Sequence, residues 1–277
     1  MRTTKKKLSI AAALAGALGL GALGLSGASC SQPAIQCVVG HGPFYAKYEL
    51  LEGDGSCAEL KGGEIGLSTY LAPNADRSLA DYDDRRIAVQ SRLLGDLLHR
   101  GTEFGVADED NKPYAIGDYT NLPDDGNICY AGGANGTPAL SVAEQSVPEI
   151  PAMDDGMGGM TDPIPAEHLR QEWRNLKIYV TPQAPGTQMT GEMTLENVLE
   201  GCSARYRVVA LFPSVYCGVD ADGDENTPDV ASNEQCDPEA DPDQGREFGS
   251  GINPDWKTKC DPELLHCVLD ETPLPDR

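Results

Sequence analysis

"EWRNLKIYVT" (Glu172–Thr181) decides the fold. Leu176, Ile178 and Val180 share one face and alternate with Asn175, Lys177 and Tyr179. A period of two is what a half-buried strand produces. "GTQMTGEMTLE" (Gly186–Glu196) and "CSARYRVVALFP" (Cys202–Pro213) follow at turn-sized separations, so residues 171–217 are expected to form an antiparallel meander. A helix over Ala166–Leu176, with Leu169, Trp173 and Leu176 at helical spacing, competes for the start of this run. The continuation into "KIYV" favours a strand from about Gln171.

Working outward, "FYAKYELL" (Phe44–Leu51) alternates imperfectly before the turn "GDG" and Cys57, and "ELKGGEIGLSTYLA" (Glu59–Ala72) carries β-branched and aromatic residues. "RRIAVQSR" (Arg85–Arg92) sets Ile87 and Val89 against Arg86 and Gln90, again with a period of two. "LLGDLLHRG" (Leu93–Gly101) predicts a short helix ended by Gly101, the alternative being one helix from Leu79 to His99. "YAIGDYT" (Tyr114–Thr120) reads as a further strand, closing into the turn signals of "NLPDDGN". Residues 30–130 are thus the N-terminal part of a β domain. Residues 131–170, rich in Gly, Pro and Asp and without periodicity, read as a loop or linker, and residues 218–277 as an acidic, cysteine-containing C-terminal extension. No strand alternates with a long helix, which argues against a parallel α/β fold. The expected class is all-β: an antiparallel β-sandwich, loop-rich, disulfide-stapled and with little helix.

The chain begins with Arg2, Lys5, Lys6 and Lys7, then runs uncharged from Leu8 to Leu25 before the small residues Ser26, Gly27, Ala28 and Ser29. A basic start, an apolar stretch and a small-residue zone make residues 1–29 a cleaved secretory signal. The apolar run just reaches membrane-spanning length, but its glycines and the small residues behind it favour cleavage. Ser26-Gly27-Ala28-Ser29-Cys30 resembles the lipobox of bacterial lipoprotein precursors, with Gly27 where Leu is usual. The resemblance implies that Cys30 receives a diacylglyceryl group and becomes the new N-terminus. Ordinary cleavage after Ala28 is the other reading.

Nine cysteines are present, at 30, 37, 57, 129, 202, 217, 236, 260 and 267. Disulfides persist outside the cytoplasm, and an odd count leaves one thiol over. With Cys30 lipidated, eight remain to close four bridges. Sequence proximity pairs Cys37 with Cys57, Cys217 with Cys236 and Cys260 with Cys267, leaving Cys129–Cys202 to tie the halves together.

The formal net charge is −23. Removing residues 1–29 takes away four basic groups and no acid, leaving 17 basic against 44 acidic groups and a net of −27. Such a surface repels nucleic acid and anionic headgroups. With four Phe and two Trp the core is lean, which gives the bridges added weight.

A lipid-type signal, β-rich segments with scattered cysteines, and the pieces "GDYTNLPDDGNICYA" (Gly117–Ala131), Glu172–Pro213 and Gly251–Leu269 together resemble uncharacterised lipoproteins of myxobacterial secretomes. That group implies an address and carries no activity to any residue here.

Residues 218–245 hold ten acids and no Lys or Arg. Asp220, Asp222, Asp224, Asn226 and Asp229 form a candidate Ca²⁺ site, since Ca²⁺ takes six to eight hard oxygens. The loop departs from an EF-hand, with Gly223 at position four and Ala231 at position twelve, and a solvated acidic loop is the plain alternative. Met153, Met157 and Met160, with His168 beyond, form a weaker soft-ligand pattern for Cu(I). The four histidines, 41, 99, 168 and 266, are far apart in sequence, and no HExxH, GxSxG, P-loop or CxxC motif occurs.

The expectation is therefore a non-enzymatic cell-envelope lipoprotein, acyl-anchored through Cys30 to the lipid bilayer, with a structural or binding role and a protein or glycan partner. Ser31 after Cys30 lacks the Asp associated with inner-membrane retention, which points to the outer membrane. The rivals are a secreted or anchored hydrolase of envelope or extracellular polymers, and a calcium-dependent adhesion or carbohydrate-binding module.

Overall fold

The structure is a computed structural model and describes residues 35–277 apart from 155–158, 221, 222, 225, 226, 228, 245, 275 and 277. The signal segment and Cys30 lie outside the described residues.

The strands are β1 (Gly42–Gly53), β2 (Gly62–Pro73), β3 (Ala80–Ser91), β4 (Ala115–Asp118), β5 (Ile128–Ala131), β6 (Ala143–Val147), β7 (Glu167–Val180), β8 (Pro185–Asn197) and β9 (Cys202–Leu211), with helix α1 (Arg92–Glu103) between β3 and β4. They form one antiparallel sheet in the order β4-β3-β2-β1-β9-β8-β7-β5, β6 pairing beside β5 on β7. The two ends of this order nearly meet. A bridge joins Tyr119, just past β4, to Ala131 of β5, and the Thr120 N–H donates to the Tyr130 carbonyl at 3.1 Å. The all-β, antiparallel class holds, and the two walls expected of a sandwich are opposite sides of one sheet curled almost into a barrel.

Curling needs local irregularity. In β7 the pairing with β8 shifts between Arg174 and Lys177, and Asn175 there has a φ of 53°. Such a bulge bends its strand and raises the twist, as closure requires. Gly191 lies across from it on β8, where an added Cβ would sit within 3.2 Å of the Arg174 carbonyl oxygen. Inside, alternate residues fill the barrel: Phe44, Ile65, Leu67, Ile87, Leu176, Ile178, Met189 and Tyr206 are all fully buried. The Tyr206 hydroxyl donates to the Cys57 carbonyl. Helix α1 starts where Ser91 Oγ accepts the Leu94 N–H at 3.3 Å and buries Leu94 and Leu97 in the core.

The favoured strand readings hold in two places: residues 80–91 are strand, in place of the alternative Leu79–His99 helix, and β7 runs from Glu167, in place of the competing Ala166–Leu176 helix. Residues 131–170 are not a linker: β6 and the start of β7 lie within them and belong to the sheet. β6 escapes the eye because its central inward residue, Gln145, is polar.

The cysteine pairing also differs. The bridges are Cys37–Cys129, Cys57–Cys202, Cys217–Cys260 and Cys236–Cys267, in place of Cys37–Cys57, Cys129–Cys202, Cys217–Cys236 and Cys260–Cys267. Sheet order explains it. Because β1 pairs with β9, Gly53 lies opposite Ala204, which carries Cys57 beyond the end of β1 to Cys202. The Cys37 N–H donates to the Asn121 carbonyl at 3.0 Å, which sets Cys37 beside the segment leading into β5 and Cys129.

Residues 218–277 hold β10 (Gly218–Val219), β11 (Val230–Ala231), β12 (Thr258–Asp261) and β13 (His266–Leu269), which form two small antiparallel pairs. Their core of Cys217, Cys236, Ile252, Trp256, Cys260 and Cys267 packs on Ala184 and Leu211 of the barrel region. The contact is specific. Tyr45 stacks on His266 with ring centroids 3.8 Å apart, Trp256 Nε1 donates to Thr187 Oγ1 at 3.1 Å, and the buried Gln188 amide exchanges hydrogen bonds with both backbone groups of Leu274.

Candidate functional site: the cleft under the C-terminal unit

The outward residues of β1 and β9 face each other in register: Tyr45 opposite Leu211, Lys47 opposite Val209, Glu49 opposite Arg207. On a strand whose inner face is already in the core, such positions normally meet water. Here β13 and the tail behind it stand over them, and the space between is a cleft of about 600 Å³. That volume is within the usual range for small-molecule sites. Its floor and far wall are apolar, from Val209, Leu211, Val268, Leu269 and Pro273.

Three cations border it, in a chain where acids far outnumber bases. Lys47 Nζ lies 2.7 Å from Asp261 Oδ2. Arg207 is shared between Asp276 at 3.0 Å and Glu49 at 3.9 Å. Lys61, exposed just before β2, lines the cleft with no ion pair among the described residues. Glu49, Glu263 and Glu271 complete the rim. Burial raises the Asp261 pKa, but the Lys47 ammonium and the N–H groups of Glu263 and Leu264 outweigh it, so Asp261 sits below its ordinary value. Tyr45 is held above its ordinary value by burial first and by Asp261 and Glu64 second, which keeps its hydroxyl protonated. The result is an amphipathic slot: apolar surface inside, mixed charge at the mouth.

The residues singled out from sequence fall elsewhere. Of the candidate Ca²⁺ ligands, Asp222 and Asn226 lie outside the described residues. Asp220 Oδ1 accepts the Gly223 N–H at 2.7 Å, and Asp229 Oδ2 accepts the Tyr216 hydroxyl at 2.5 Å. Met157 is likewise outside, while Met153 and Met160 are exposed. His168 Nε2 lies 2.7 Å from Glu144 Oε1, whose other oxygen takes Arg170 at 3.2 Å, an ion network on the outer face of β6 and β7. His266 is stacked on Tyr45. Sequence reasoning missed the cleft altogether. The signal that was present is the placement of Lys47 and Arg207, cations at outward positions between aromatic and aliphatic residues in a chain otherwise dominated by acids.

Comparison with known proteins matches the sequence that builds this architecture to a family. The family model described as MlpA covers residues 42–213, the span from the first residue of β1 to just past β9. A curated relative from Myxococcus xanthus, named "Putative lipoprotein MlpA", is 27% identical over 268 residues, which cover 94% of this chain and 91% of the relative. No solved structure matches. The myxobacterial lipoprotein likeness read from the sequence agrees with both findings. With the match spanning more than half of the sequence and coinciding with the curled sheet, the chain belongs to the MlpA family.

Proposed function

We propose that this protein is an exported lipoprotein, cleaved ahead of Cys30 and held by acyl chains on that residue at the outer membrane, and that its domain works by binding rather than catalysis. One observation carries the anchor: the four bridges use all eight cysteines other than Cys30. In an oxidising compartment a ninth thiol is a liability unless it is committed to other chemistry. The lipobox-like residues before Cys30 and the lipoprotein name of the Myxococcus xanthus relative support the same reading. The cleft supplies the working surface. Its apolar interior and Lys61 at the mouth suit an organic ligand with an apolar body and one anionic group.

Intact mass of the protein extracted from membranes tests the anchor. Acylated Cys30 as the first residue is the expected result, and Cys30→Ala is expected to move the protein to the soluble fraction. A soluble parent beginning at Ser29 would overturn it. Native mass spectrometry of the gently extracted protein tests the cleft: a small anionic adduct present in the parent and lost in Lys61→Glu is expected, and an adduct indifferent to Lys61 would move the ligand elsewhere.

A further inference from the structure

A second site is written into the barrel itself. Four inward residues face one another across β6, β7, β8 and β9: Ala143 opposite Gln171, Gln171 opposite Leu195, Leu195 opposite Ala204. All four are buried, and two of them are alanines, so this layer is thin in side-chain volume around an amide. Gln171 is 1% exposed, and neither its Nε2 nor its Oε1 has a hydrogen-bond partner. Two neighbours share the condition. Trp173, two residues along the same face, has an unpartnered Nε1, and Gln145, on β6 opposite Leu169, has an unpartnered Oε1 while its Nε2 donates to the Asn111 carbonyl at 3.0 Å. Buried polar atoms are almost always satisfied in folded proteins, so three orphan-bearing side chains on neighbouring inward positions of β6 and β7 call for a partner.

A cavity borders these positions. It measures about 370 Å³ and is lined by Leu60, Leu93 and Asn197 together with the buried Cys57, Leu169 and Leu195. The last two are the residues beside Gln171: Leu195 across the strand pair, Leu169 two positions back on β7. A barrel of about eight strands is wide enough to be filled by side chains or to hold one small ligand.

The chemistry of the orphans fixes the ligand class. Gln171 Nε2 and Trp173 Nε1 donate, Gln171 Oε1 and Gln145 Oε1 accept, and none is charged. The cavity lining carries Glu59, Glu167 and Glu200 and, unlike the cleft, no Lys or Arg; Arg100 offsets Glu167 at 3.0 Å, and the remaining acids disfavour an anion on entry. We propose that the barrel interior binds a neutral amphiphile, its polar head, a group that both donates and accepts, held by Gln145, Gln171 and Trp173, and its apolar tail lying past Leu169 and Leu195 towards Leu60 and Leu93. This site is independent of the cleft, which lies on the outside of β1 and β9.

The experiment is a titration of the full-length protein with 1-decanol and, separately, with decanoate, read by calorimetry and by the fluorescence of Trp173 in a Trp256→Phe background. Saturable binding of decanol with a change in Trp173 emission is expected, decanoate being weaker by about tenfold or more. Gln171→Leu is expected to weaken decanol by about tenfold, the loss of a hydrogen bond of ordinary strength, while its melting temperature stays at or above the parent's. Should that variant fail to fold, Gln145→Leu serves the same purpose. No saturable decanol binding, decanoate binding as tightly as decanol, or variants that bind like the parent would overturn the proposal. A crystal structure grown with decanol that shows water alone between Gln145 and Gln171 would do the same.

Discussion

Lys47 and Asp261 are 214 residues apart in sequence, and their side chains meet at 2.7 Å. The pair bolts the C-terminal unit to the outer face of β1, at the edge of the cleft, with Asp261 much the more enclosed partner. Removing Lys47 leaves a carboxylate facing low-dielectric surroundings. Lys47→Ala is therefore expected to cost about 1–2 kcal/mol in chemical denaturation, more than an exposed ion pair contributes.

The same contact sets an acid limit. A carboxyl whose folded pKa lies below its unfolded value stabilises the fold above the unfolded value, about 3.9 for Asp, and that contribution is lost as pH falls through the folded value. Asp261 is shifted in this direction. The melting-temperature gap between the parent and Asp261→Asn is expected to be widest above pH 5 and to close as pH drops below about 4. A gap unchanged at low pH would show that Asp261 contributes by shape alone.

Tyr130 gives the alkaline counterpart. Its hydroxyl donates to Asp124 Oδ2 at 2.5 Å, and that hydrogen bond, then burial, then the Asp124 charge push its pKa up to about 12. A raised tyrosine pKa favours the folded state below the unfolded value of about 10 and loses that contribution as pH rises through the folded value. Ultraviolet titration is expected to show Tyr130 ionising at about 12, and Asp124→Asn to return it towards the ordinary range.

Cys57–Cys202 and Cys37–Cys129 close chain separations of 145 and 92 residues. Long loops restrict the unfolded chain most, so the double variant Cys57→Ser, Cys202→Ser is expected to lose roughly 2–4 kcal/mol. Mass mapping of a digest without reductant should recover the four linked peptide pairs described above. Nearest-neighbour pairs in that digest would contradict the sheet order as well as the bridges.

Gly186 has a φ of 72°, and a Cβ there would run into the Val38 carbonyl oxygen and the Val39 Cα. Gly105 has a φ of 67° and open space around it. Gly105→Ala is expected to cost about 1–2 kcal/mol, the strain of the left-handed conformation alone. Gly186→Ala carries the collision as well and should cost more, with the difference readable in paired urea melts.

The strands were legible where their inner residues are apolar. Leu176, Ile178 and Val180 announce β7, and "LLGDLLHRG" announces α1, because burial of a single face leaves a clean period. β6 was hidden because Gln145 occupies an inward position that the pattern assigns to an apolar residue, and the start of β7 was blurred by Gln171 for the same reason. The places where the pattern failed are the places where the barrel interior is polar. The cleft was illegible for a different reason: it joins β1, β9 and β13, and no local period reports on surfaces drawn from residues 45, 209 and 268. The pairing of cysteines failed likewise, since it follows strand order rather than chain order.

The bridge between Tyr119 and Ala131 has a consequence for life at high density. An open sheet of this length would present two bare strand edges, and bare edges recruit the edges of neighbouring copies. Here the two edges are turned on each other, so the backbone groups that would template such pairing are largely spent inside one molecule. A chain of this build offers identical neighbours few free strand edges to pair with.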